Sequence, residues 1–290
     1  MSSCWKLRIA KIDRGASQAR ILKHFCLCLL RAVSIFFASL AHALVDTRSC
    51  GAPTIQAMTS YCKRSRSAPL QLRESAWRIA DLGWDTAAFD DKKFELAIHL
   101  AQQGTFTEEA GLLTALRLGC LVDDIDARRM LAQQASDEAK HSEAFERYLH
   151  FRAADSIPVP VQETRSLLAK LEAISDPFEL FLVHTLLEGM ALDEFSLLEQ
   201  CLRGDLLASI YSHVRRDESN HVSMGVAYLR RERARRNVQT LSITPDEVLG
   251  ISGLTEGAFS SLANISGRMS SDVHGLLRGR LLGRWQQIFT

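Results

Sequence analysis

The chain has 290 residues, long enough for one large domain or two small ones, and its 47% hydrophobic and 24% charged content is that of an ordinary globular protein. A formal net charge of +1 excludes a global electrostatic pull towards nucleic acid or a membrane surface. The seven cysteines include no Cys-x-x-Cys pair, which leaves thiolate zinc and iron–sulfur readings without support, and an odd count without a framework fits a reducing, cytoplasmic compartment.

Residues 1–69 read apart from the rest: they are rich in Ser, Cys, Arg and Lys, and Asp13 and Asp46 are their only acids. An apolar stretch runs from Ala32 to Val45 and contains Ala-His-Ala at 41–43, a pattern open to a signal-peptide reading. The segment is too short and too interrupted, by Lys23 and Arg31, for a membrane span. A leader outside the folded body, or sequence upstream of a start such as Met58, is the reading preferred over a signal peptide.

From Leu70 the pattern is helical, with Leu, Ala, Glu and Arg plentiful and Gly and Pro sparse. A short helix is expected within Ser67–Leu82, a second from Asp90 to Gln103 ending at Gly104, and a third from Thr105 to Leu121. Asp123-Asp124 makes a turn into a long helix over 127–152. A connection with Pro158 and Pro160 leads to a short helix near Glu163–Glu172. Asp176-Pro177 supplies an N-cap and first helical residue for a helix to about Leu202. Gly204-Asp205 turns the chain into the last long helix, Leu206 to Arg236. A tail follows with a helix start at Thr244-Pro245-Asp246-Glu247 and a final helix near Ser271–Phe289. Two helical hairpins joined by a long crossover have the topology of an all-α, ferritin-like four-helix bundle. The expected organisation is a leader at 1–69, the bundle with its preceding helices at 70–240, and a helical extension at 241–290 packed on its outside.

The second helix of each hairpin carries Asp-Glu-x-x-His: Asp137-Glu138 with His141, and Asp217-Glu218 with His221. Glutamate and histidine three apart share a helix face and can converge on one metal ion. Each motif has a glutamate thirty residues upstream, Glu108 and Glu188. In an antiparallel hairpin, residues equidistant from the turn lie side by side, and the midpoints, 123 and 203, fall on or beside the two turns. A lone Glu-x-x-His is most often a solvated face; two copies with matched partners are the ligand set of dinuclear carboxylate proteins. Glu109 competes with Glu108, since both share apolar helix faces, and symmetry with Glu188 favours Glu108. His184, one turn before Glu188, is a candidate further ligand; His99 and His213 are not. Leu112, Ala115, Phe145, Leu187, Ala191 and Leu192 lie a turn or two from the ligands and are the expected substrate-pocket walls, although ordinary core packing accounts for each of them too.

At these residues the sequence resembles the ferritin-like di-iron oxygenase and oxidase superfamily, over roughly 105–236, and its motif is most similar to bacterial di-iron monooxygenases and p-aminobenzoate-type N-oxygenases. The resemblance implies two iron ions, or a manganese–iron pair on the same ligands, that activate dioxygen to hydroxylate or N-oxygenate a small organic substrate such as an amine. It also implies an external electron donor, a reductase or ferredoxin, and Asp137 and Asp217 as supports behind the ligand histidines. A homodimer is a further expectation. The sequence departs from the family pattern where an arginine commonly precedes the histidine; Lys140 and Asn220 stand there. Phe145 occupies the place of the radical tyrosine in the small subunit of class I ribonucleotide reductase, which excludes a tyrosyl radical at that position. Two alternatives stand beside the oxygenase: a tRNA-modifying hydroxylase, for which the run Arg230, Arg231, Arg233, Arg235, Arg236 would be the RNA contact, and a non-enzymatic iron-storage protein.

Overall fold

The computed structural model describes residues 77–153, 162–237, 241–253 and 256–290, with the backbone alone at 162–164 and 256–259. The expectations for residues 1–69, for most of the helix at 67–82 and for Pro158 and Pro160 lie outside these residues. Among the described residues, eight α-helices follow in chain order: α1 (Phe94–Leu121), α2 (Ile125–Arg152), α3 (Gln162–Ala173), α4 (Pro177–Cys201), α5 (Leu206–Arg236), α6 (Pro245–Ser252), α7 (Glu256–Ser266) and α8 (Ser270–Phe289). Before them, Trp77 and Arg78 are irregular and 3-10 turns occupy Ile79–Leu82, Trp84–Thr86 and Asp91–Lys93.

The long helices start where acidic caps meet bare N–H groups. Asp124 accepts from Ala127 N at 2.8 Å to begin α2, and Asp176 accepts from Glu179 N at 2.9 Å to begin α4, with Pro177 as first helical residue. Asp205 caps α5 through Leu207 N at 2.9 Å, and also accepts from Tyr148 Oη and from Asp90 N, so one turn residue ties α2 and the chain before α1 to the second hairpin. Gly204 takes the left-handed φ of 91° that this turn needs.

One expectation is corrected here. Gly104 does not end a helix; α1 runs through it without a break. A Cβ at Gly104 would lie 2.9 Å from the Phe145 ring, so the glycine provides room for the aromatic ring of α2. The helix α7 was not expected either. Ser252-Gly253 before it and Gly257 within it have weak helix propensity, and Leu262 and Ala263 pack it against the core.

Helices α1 and α2 form one hairpin and α4 and α5 the other; α2 lies against α5, and α1 against α4. Asp137 meets His221 while His141 meets Asp217, so α2 and α5 run antiparallel. It follows that α2 and α4 point the same way, and the chain must travel back along the bundle between them. Helix α3 lies in the stretch of chain that joins them. Helix α8 crosses α4, where Arg284 lies over Gly189 and bonds Asp193 at 2.6 Å. No helix among the described residues is long and apolar enough to cross a membrane.

The core forms two apolar clusters. One gathers Ala101, Phe145, Leu198 and Tyr211; the other gathers Ala115, Leu131, Leu186 and Leu229. On each of the four bundle helices the polar motif residues lie where one cluster gives way to the other. The bundle therefore holds a thin buried polar layer between two dry ends.

Candidate metal centre

Four helices feed that layer: α1 brings Glu108, α2 brings Glu138 and His141, α4 brings Glu188, and α5 brings Glu218 and His221. All six side chains are buried. Their donor atoms form two groups, each within 4.8 Å: Glu108, Glu138, His141 and Glu218 in one, and Glu138, Glu188, Glu218 and His221 in the other. Glu138 and Glu218 belong to both groups, as carboxylates shared between two ions would. Glu109 is exposed and lies outside both.

The orientation of the rings agrees with this. His141 Nδ1 lies 3.2 Å from Glu108 and 3.3 Å from Glu218, and His221 Nδ1 lies 3.2 Å from Glu138 and 3.3 Å from Glu218. The far nitrogens face aspartates: His141 Nε2 is 3.1 Å from Asp217 Oδ2, and His221 Nε2 is 3.3 Å from Asp137 Oδ2. An Nε2–H donated to a carboxylate leaves the Nδ1 lone pair facing the glutamates. Within the cluster, Glu138 Oε1 and Glu218 Oε1 are buried without a hydrogen bond, although a ring nitrogen is near each. Unsatisfied carboxylate oxygens at the centre of a buried acidic cluster are costly unless a cation meets them. The residues present therefore fit a pair of metal ions, and mixed oxygen and imidazole donors suit iron or manganese.

Each aspartate serves the histidine of the other motif, which locks α2 to α5. Lys140 closes the arrangement: its Nζ lies 3.2 Å from Asp137 Oδ1 and 2.9 Å from Asp217 Oδ2. One ammonium thus reaches both aspartates, so the Asn220 position needs no base of its own. Trp77 donates from Nε1 to Asp217 at 2.9 Å, its ring stacks on His141 at 6.1 Å and 5°, and Lys140 Nζ lies 4.5 Å above it. Lys140→Met should therefore weaken metal binding at both groups, by about 10–100-fold, while Lys140→Arg keeps most of it. Calorimetric titration with Mn(II) checks this; a loss confined to one group would show that the two aspartates are held separately.

Burial and mutual repulsion set the protonation of the cluster. Burial first, then the charge of Glu138, raises Glu108 well above the usual carboxylate range; burial with the charges of Glu138 and Glu218 does the same to Glu188. Against the cost of burial, hydrogen bonds from His141 and His221 hold Glu138 well below that range, and Glu218 is lowered too. Both histidines are raised despite burial, His141 chiefly by Asp217 and Glu108, His221 chiefly by Glu218 and Asp137. These shifts set a balance of protons and charge in the layer: metal ions must displace protons held there, so uptake should release protons and affinity should rise with pH. Calorimetry in buffers of different ionisation enthalpy measures the release; pH-independent binding without proton release would contradict the balance.

His184 is buried beside the layer but outside both groups. Burial lowers its pKa to about 4, so the ring is neutral. Its Nε2 lies 2.9 Å from the Gln134 amide nitrogen, and its Nδ1 lies 3.4 Å from Glu188 Oε1. With the amide donating to Nε2, the ring proton sits on Nδ1 and faces Glu188. This is the position of a group that orients Glu188.

The residues expected to wall a pocket are spread through the core. Ala115, with partly buried Leu112 and Leu187, belongs to one apolar cluster; Phe145, with partly buried Ala191, belongs to the other, and Leu192 is partly buried. Phe145 packs on Tyr211 at 5.2 Å. His213 lies 5.0 Å from the Trp77 ring, and His99 is exposed and outside both donor groups. Trp77, Gln134 and the double role of Lys140 escaped the sequence reading. No local spacing marks a tryptophan 140 residues from its partner.

No family model and no curated protein matches the chain. Among solved structures it is similar to a tyrosine-to-phenylalanine variant of an R2-like ligand-binding oxidase with an aerobically reconstituted Mn/Fe cofactor, at 17% identity and a TM-score of 0.50, over 74% of this chain and 89% of that one. At that identity the likeness speaks for the fold, a ferritin-like bundle.

Proposed function

We propose that this chain is a non-haem di-iron oxidoreductase, with manganese–iron as the alternative pair, that reduces dioxygen and hydroxylates or N-oxygenates a small organic substrate. The observation that carries the reading is the pair of buried donor groups sharing Glu138 and Glu218. Glu108, His141 and the shared carboxylates would hold one ion, and Glu188, His221 and the same carboxylates the other. The ions would supply redox chemistry with dioxygen that no side chain here can perform.

The chain's own residues set the conditions. The apolar clusters on either side keep bulk water from the layer. Asp137, Asp217 and Lys140 fix both imidazole rings, and His184 orients Glu188. The overall balance is one oxygen atom into the substrate and one into water, with two electrons and two protons from an external reductase or ferredoxin. The expected substrate contacts are Leu112, Ala115, Phe145, Leu187, Ala191 and Leu192, and the absence of a cysteine framework agrees with a cytoplasmic setting.

Anaerobic reconstitution with ferrous iron followed by mixing with oxygen tests the proposal. About two irons per chain, an iron-dependent optical transient and substrate-dependent oxygen consumption are expected. Iron that binds but never reacts with oxygen would sink the oxygenase reading, and uptake far above two per chain would replace it with storage.

A further inference from the structure

The arginine run at the end of α5 plays no part in the metal centre, and the structure sorts its members into two kinds. Arg231 bonds Asp124 at 2.8 Å, and Arg235 and Arg236 both bond Glu232. These three are paired within the fold, Arg235 and Arg236 sharing one carboxylate. Arg230 and Arg233 pair with no carboxylate among the described residues. They sit three apart, on one face of the last turns of α5, and both line the same cavity. The cavity measures about 910 Å³, and its other walls include Asn237, Ile243, Trp285 and Phe289.

Three independent features meet there. The first is charge: the C-terminal end of a helix offsets about half a unit, and two guanidinium groups exceed that. The second is an aromatic wall, absent from the run itself and supplied by α8: the Trp285 and Phe289 rings lie 5.0 Å apart at 33°, and Arg233 sits 5.3 Å above Phe289. The third is room, since the volume lies within the range of about 300–1,000 Å³ usual for small-molecule sites.

We infer that this cavity is a nucleotide-binding site, remote from and independent of the metal centre. Its phosphate would lie on Arg230 and Arg233, which suit the planar recognition of phosphate oxygens. Its base would lie against Trp285 and Phe289, where stacking accepts any of the common bases. The Asn237 amide, at a left-handed φ of 51°, borders the same opening and adds a polar contact.

Calorimetric titration of the full chain with AMP, GMP, CMP and UMP, and separately with the four nucleosides and with inorganic phosphate, tests the inference. At least one nucleoside monophosphate should bind more tightly than about 1 mM, and its nucleoside and phosphate alone at least about tenfold more weakly. Arg230→Gln with Arg233→Gln should weaken that binding at least about tenfold, with unchanged iron uptake. Should the double variant melt early, Arg230→Glu at its exposed position serves alone. Failure of all four nucleotides, equal binding of phosphate alone, unchanged binding by the variant, or binding of an RNA oligonucleotide but of no mononucleotide would each overturn the inference. Because iron uptake is read in parallel, a failure here is distinguishable from a failure of the oxidoreductase reading.

Discussion

Alanine at Glu138 or at Glu218 should abolish binding of both metal ions, whereas alanine at Glu108 or at Glu188 should leave about one ion per chain. The difference follows from membership: Glu138 and Glu218 belong to both donor groups, Glu108 and Glu188 to one each. Removing a shared carboxylate takes a donor from both groups at once, and removes an anionic oxygen placed to bridge two cations. Removing Glu108 leaves Glu138, Glu188, Glu218 and His221 intact. Alanine at Glu109, which is exposed and outside both groups, should leave uptake at about two ions. Elemental analysis after loading and dialysis distinguishes the cases. Two ions retained by Glu138→Ala would move the bridging role elsewhere, and complete loss in Glu108→Ala would mean that the ions bind only as a pair. Without metal, the glutamine variant at position 108 should be no less stable than the parent, because burial and the charge of Glu138 already disfavour an ionised carboxylate there.

That layer was legible in the sequence to the extent that it depends on geometry within one helix or one hairpin. The three-residue spacing of Glu138 and His141 is a property of any α-helix, and the thirty-residue spacing of Glu108 and Glu138 is a property of any hairpin turning near 123. The acidic caps Asp124, Asp176 and Asp205 mark their helix starts by chemistry that acts over three residues. What the sequence does not display is the register between hairpins. That Asp137 supports His221, and Asp217 supports His141, depends on how α2 settles against α5, and no periodic pattern encodes it. The same holds for Lys140, which looks unpaired in its own motif until α5 brings a second aspartate within 2.9 Å. Gly104 misled for a related reason: glycine ends helices and also admits close neighbours, and only the Phe145 ring shows which applies.

Gly225 shows the second use of glycine, and there the expected effect is large. A Cβ at this position would lie 2.5 Å from Thr185 Oγ1 and 2.7 Å from its Cγ2, so α5 touches α4 here with no space to spare. Thr185 is three residues before Glu188, and Gly225 is four after His221, so this contact sets the spacing of one donor group and not of the other. Gly225→Ala should destabilise the protein by about 1–3 kcal/mol, each worth roughly 2–4 °C in Tm, even though alanine is the better helix former. It should also weaken the ion held by Glu188 and His221 and spare the ion held by Glu108 and His141. Thr185→Ala removes the two clashing atoms, leaving Cβ at 3.1 Å, so the double variant should regain most of the lost stability and both ions. Thermal melts and metal stoichiometry of the two single variants and the double complete the cycle. Strong coupling between the two positions would show that this helix–helix contact holds the second ion's ligands apart at the right distance. Additive losses would mean that α4 and α5 adjust freely, and that the spacing is set instead by Asp137, Lys140 and the ligands themselves.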